Sequence, residues 1–195
     1  MRCGDGIATV TAPERPDPSD IIDFWFAPGM EEKWFRPPPE FDAEIVQRFS
    51  ALYEQAATGS LVDWEATPDG ALALLILLDQ FSRNMFRDNP KAFAADPLAC
   101  AIAERAIAAG HDLAVPIERR IFFYMPFEHA EDLALQERCC ALVRERCDLG
   151  EYVGFADRHH AVIARFGRFP HRNAVLGRKS TADEIAYLES RDEPF

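Results

Sequence analysis

The stretch from Arg158 to Ala182, RHHAVIARFGRFPHRNAVLGRKSTA, holds three of the chain's five histidines and six Arg or Lys residues, with no Asp or Glu. The chain as a whole is strongly acidic, with a net charge of −12 over 195 residues. Arginine grips carboxylates and phosphates through paired N–H bonds, and histidine moves protons near neutral pH. A cationic segment in such a chain calls for an internal acidic partner or an anionic ligand. Val162, Ile163, Phe166, Phe169, Val175 and Leu176 are interleaved with the charges. The segment should therefore fold into the body of the protein, because basic tails are polar throughout. Phe155, His159, Val162, Ile163 and Phe166 recur at helical spacing, which turns His159 toward the core and offsets His160 by about 100°. Gly167 ends that helix and Pro170 stiffens the turn after it. If the next residues are extended, the alternation of Arg and Phe sends guanidinium groups to one side and rings to the other. Arg165, Arg168, His171, Arg172 and Asn173 are the ligand-binding candidates here.

Two other constellations suit the same chemistry. Asp79-Gln80-Phe81-Ser82-Arg83-Asn84 closes the most apolar segment of the chain. On an α-helix Asp79 and Arg83 share a face, as do Gln80 and Asn84. Polar groups so close to an apolar run need partners, either in an ion pair or in the wall of a pocket. Glu128-His129-Ala130-Glu131-Asp132 follows the Met125-Pro126 break. The helix dipole accounts for Glu131 and Asp132 in the first turn of a helix starting at His129, but not for His129 itself. His129, His159 and His171 are the candidates for general acid–base catalysis. Asp79, Gln80, Arg83, Asn84, His129, Glu131 and His159 join the ligand-binding set.

No metal site and no cofactor are predicted. His129-x-x-Asp132 and Asp157-x-x-His160 resemble half of a di-iron bundle site, but the facing glutamates cannot be assigned and nearby arginines repel a cation. The chain has no Gly-rich phosphate loop, no GxSxG elbow and no HExxH.

These residues must be positioned by helices, since no segment shows sustained period-two alternation. Residues 1–18 are expected to be a loose arm, and 19–195 a single all-α domain. Ser19 or Asp20 should cap a short helix over Ile21–Phe26, and Phe41–Ala57 reads as an amphipathic helix. Thr67-Pro68 opens the central helix through about Phe86, apolar on all sides from Ala71 to Leu78. Further helices are expected over Pro97–Ala109, Pro116–Tyr124, His129–Arg146 and Glu151–Phe166. Thr181 to Glu184 is a capping box for a last one. Short linkers suggest antiparallel pairs stacked as a bundle or short solenoid.

The acidic balance argues against nucleic-acid or anionic-membrane partners, which select basic surfaces. The longest uninterrupted apolar run, Ala71–Leu78, is too short to span a bilayer. Cys3, Cys100, Cys139, Cys140 and Cys147 form neither a disulfide framework nor a zinc pattern, and read as reduced thiols of a cytoplasmic protein.

LLDQFSRNMFR, YMPFEHAEDLALQER and RFGRFPHRNAVLGRKST, with DFWF and Trp34-Phe35 near the start, resemble the bacterial domain-of-unknown-function family 924. The resemblance runs from about Ile21 to the C-terminus. It implies an all-α fold of the tetratricopeptide-like superfamily and no established activity. The chain departs from the family pattern at Ser82, where proline is usual, and at Ala130, where serine is usual. The expected function is an internal cleft that binds a small anionic molecule, a carboxylate or phosphate. The alternatives are a tetratricopeptide-like module holding a peptide segment, and an enzyme in which arginines stabilise developing negative charge.

Overall fold

The structure, a computed structural model, describes residues 16–34, 37–147 and 149–190. Most of the expected N-terminal arm, Phe35 and Cys3 lie outside them. Helix α1 (Pro18–Trp25) starts earlier than the sequence suggests, because the Asp17 side chain accepts from the Ser19 amide and Pro18 sits at the first turn. Helices α2 (Glu31–Trp34) and α3 (Pro39–Ala57) follow. Thr67 then caps α4 (Pro68–Leu75) by accepting from Gly70. Gly70 is required there: a Cβ would lie 2.2 Å from the Trp64 carbonyl oxygen.

The segment expected as one α-helix changes character inside. Beyond α4 the chain widens into a π-helical turn, Ile76–Phe81, and then tightens again as α5 (Ser82–Met85). All residues from Ala71 to Leu78 are buried. Phe24, Phe49 and Trp25 pack their rings around Phe81. The apolar surround holds this element, and the wide turn carries the first polar motif.

The chain continues with α6 (Asp96–Ala108), α7 (Ile117–Glu128), α8 (Leu133–Arg146), α9 (Gly150–Phe166) and α10 (Ala182–Glu189). Successive helices α6 to α9 pack on one another, and α4 packs on α1, α6 and α7. The described residues contain no strand. The fold is an all-α stack of helices, as the patterning implies. Among the described residues no helix is long and apolar enough to cross a membrane. Cys100, Cys139, Cys140 and Cys147 are free thiols, and burial pushes the Cys100 thiol up to about 12.

Two boundaries differ from expectation. Helix α7 runs straight through Pro126 to Glu128. A helical proline costs roughly 3 kcal/mol. Phe122, Phe123, Tyr124, Met125 and Phe127 are all buried around it, and burying one such side chain contributes about 1.5–3 kcal/mol, so packing prevails. His129 is consequently the C-cap of α7 and not the start of α8. Asp132 is the N-cap of α8, accepting from Leu135.

Candidate functional site

The π-helical turn places Asp79 below the end of α7. Asp79 is fully buried. Its Oδ1 accepts from His129 Nδ1 at 2.7 Å and lies 3.4 Å from Arg83 Nη2; its Oδ2 accepts from Gln80 Nε2 at 2.6 Å. Burial alone raises a carboxyl, but the His129 and Arg83 charges outweigh it and hold Asp79 well below the usual carboxylate range. An ionised carboxylate only accepts, so His129 Nδ1 carries the hydrogen.

Arg83 makes its stronger pair elsewhere. It grips Asp96, at the start of α6, through two bonds of 2.7 and 2.9 Å, and also donates to the Ala92 carbonyl at 3.1 Å. Asp96 was not among the sequence candidates, because nothing in its local pattern marks it. Arg172 completes the group. Its guanidinium lies between the rings of Phe93 and Phe169, 4.6 and 4.4 Å from their centroids. Nη1 donates to the His129 carbonyl at 3.0 Å and stands 3.6 Å from Asp96. Arg172 is 6% exposed, and its Nε is buried without an acceptor among the described residues. Burial, reinforced by the Arg83 charge, brings its guanidinium down to about 10.

His159, on α9, meets the other side of His129, with ring centroids 6.1 Å apart. Its Nδ1 donates to the Phe155 carbonyl at 2.9 Å and lies 3.3 Å from Glu128 Oε1. Burial, with the His129 charge, lowers His159 to about 3. Burial, with the Asp79 charge, raises Glu128 to about 8. Ligand atoms of Glu128, His129 and His159 all come within 4.8 Å of one another. The pairs compared with a di-iron site do not assemble: Asp132 caps α8 and Asp157 pairs with Arg144.

These groups open onto a cleft of about 760 Å³. Gln80, Arg83, Asn84, His129, His159, His171 and Arg172 line it, with Arg87, Asp88 and Glu128. Its apolar surface comes from Trp34, Phe93, Met125, Tyr152 and Phe155. Asp79 lies behind this wall. Asn84 and Arg87 are both held by Asp42 of α3.

The remaining candidates are placed elsewhere. The segment after α9 is not extended: Gly167 closes the helix at φ 68°, and residues 170–172 form a 3₁₀ turn. Arg165 lies over the Phe166 and Tyr187 rings. Arg168 grips Glu184 at 2.6 and 2.9 Å, and Asn173 donates to Ser180 and Glu184. Glu131 is held by Arg178 and accepts from the Phe169 amide. Arg168, Asn173, Glu131 and Arg178 thus form a clasp that fastens the C-terminal segment to the α7–α8 turn and to α10. Much of the cationic stretch finds its partners inside the protein.

The comparisons agree with this architecture. A solved structure described as a protein of unknown function, ATU0120, from Agrobacterium tumefaciens superposes with a TM-score of 0.85 at 44% identity, over 89% of this chain and 97% of that one. Among curated proteins none matches. The family model described as "Bacterial protein of unknown function (DUF924)" matches residues 21–192. That span takes in the buried Asp79 turn, the His129 corner and the arginine clasp together, and the chain belongs to this family.

Proposed function

We propose that the cleft binds a small anionic molecule, a carboxylate or phosphate, that also carries an apolar part. The observation that carries this reading is Arg172. A guanidinium is held nearly buried between two rings and lines the cleft, and its buried Nε has no acceptor among the described residues. Holding a cation there is costly unless its remaining hydrogen-bonding capacity is used. Trp34, Phe93 and Phe155 offer the surface for the apolar part. The volume is that of a small-molecule site, which favours this reading over a groove for an extended peptide.

A second reading, general acid–base catalysis by His129, is supported by the Asp79 hydrogen bond, which orients the ring and fixes its tautomer. The test of the first reading is a thermal-shift screen of phosphorylated and carboxylated metabolites. A ligand that binds only the folded state raises the melting temperature. Uniformly absent shifts would contradict it.

A further inference from the structure

From the arrangement around His129 we infer that Glu128, His129 and His159 bind a divalent transition-metal ion of the zinc, cobalt or ferrous class. The inference goes beyond the anion site and stands without it. Two imidazoles and one carboxylate are a ligand set for these ions and not for magnesium or calcium, which take oxygen ligands. The three side chains come from the end of α7, its C-cap and the middle of α9. Their ligand atoms gather within 4.8 Å of one another. A bound ion at bond lengths of about 2.0–2.2 Å places its ligand atoms roughly 3.4 Å apart. Metal binding must draw the three side chains together by that difference.

The second layer matches the same chemistry. Metal-binding histidines usually donate their other N–H to a carboxylate or a carbonyl, which fixes the tautomer. His129 does so to the Asp79 carboxylate and His159 to the Phe155 carbonyl. In the neutral ring each bond puts the lone pair on Nε2. Of the two sequence arguments against a metal, the unassigned facing glutamates concern the di-iron pairs, and repulsion by arginine bears on this trio. That repulsion is partly offset, because Arg83 and Arg172 face Asp79 and Asp96 in a group of two cations and two anions. Among the described residues no Arg or Lys forms an ion pair with Glu128, whose Oε1 lies 3.3 Å from His159 Nδ1.

The test is a titration of chelator-treated full-length protein with Co²⁺, followed by visible absorption, and with Zn²⁺ by calorimetry. One saturable site is expected, tighter than about 10 µM. His129→Ala and His159→Ala should each abolish it. Asp79→Asn should weaken it about 10–100-fold by loosening the His129 ring. His160→Ala, on the same helix as His159 but outside the cluster, should leave it unchanged. If the histidine variants do not fold by circular dichroism, X-ray absorption of the Zn²⁺-loaded wild type decides. A first shell containing two imidazole nitrogens and a carboxylate oxygen supports the site. No saturable binding overturns it, as does binding that survives both histidine changes or a shell without two imidazoles. A negative metabolite screen beside a positive Co²⁺ titration would sink the anion reading alone, and the reverse pattern would sink the metal site alone.

Discussion

Asp79 and His129 lie 50 residues apart in sequence and meet through a 2.7 Å hydrogen bond. The bond joins the π-helical turn of the central helix to the C-cap of α7, and nearby polar groups are organised about it. Gln80 and Arg83 converge on the same carboxylate, and Arg172 binds the carbonyl of the same histidine. A buried carboxylate surrounded in this way acts both as a strut between two helices and as the group that orients an imidazole toward the cleft.

The strut leads to the first prediction. Arg83→Met removes both hydrogen bonds to the Asp96 carboxylate and the contact with Asp79, and should cost about 3 kcal/mol in urea unfolding. Combining it with Asp96→Leu should recover at least about 1 kcal/mol of the summed single losses, since the two residues share two hydrogen bonds. Additive losses would show that the pair is not coupled.

The C-terminal clasp gives a pH dependence. The hydrogen bonds from Arg168 and from the Thr181 amide lower Glu184 to about 2, from an ordinary value of 4.5. A depressed carboxyl contributes stability that is fully present above its unfolded value and is lost as pH falls through the folded one. Wild type should therefore exceed Glu184→Gln in urea midpoint above about pH 5, and the gap should close between about pH 4.5 and pH 2. A gap that stays constant through that window would show that Glu184 is not held ionised by the clasp.

Gly70 gives a packing prediction. Gly70→Ala drives a Cβ against the Trp64 carbonyl, and should destabilise by about 1–3 kcal/mol through overpacking. Thermal unfolding of the variant checks this; an unchanged midpoint would mean that the Thr67 corner yields freely.

Much of this framework was legible in the chain. The apolar run Ala71–Leu78 marked the central helix, the spacing of Phe155, His159 and Val162 turned His159 inward, and Thr181 to Glu184 formed the capping box that the structure contains. Three features were not legible, each for a physical reason. The wide turn at Ile76–Phe81 alters the rotation per residue, so Asp79 and Arg83 make only a 3.4 Å contact where an α-helical wheel suggests a primary pair. Asp96 becomes Arg83's partner only through tertiary packing, 13 residues away. Helix α7 continues through Pro126 because its surround is buried. That moves His129 to a helix end and brings Glu128 toward His159. The cationic stretch also reads as one unit in sequence, yet it divides in space. His171 and Arg172 face the cleft, and Arg168 and Asn173 hold the clasp.

That division allows the most direct test of the anion site. The strongest hit of the metabolite screen should be titrated calorimetrically into wild type, Arg172→Gln, Arg172→Lys and Arg168→Gln. If Arg172 is the anion's partner, Arg172→Gln should abolish binding. Arg172→Lys should retain a weakened fraction, because lysine keeps the charge and loses the fork of donors. Arg168→Gln should lower the melting temperature and leave affinity unchanged at a temperature where the variant is folded. Affinity that is insensitive to Arg172, or that falls equally in Arg168→Gln, would contradict the account.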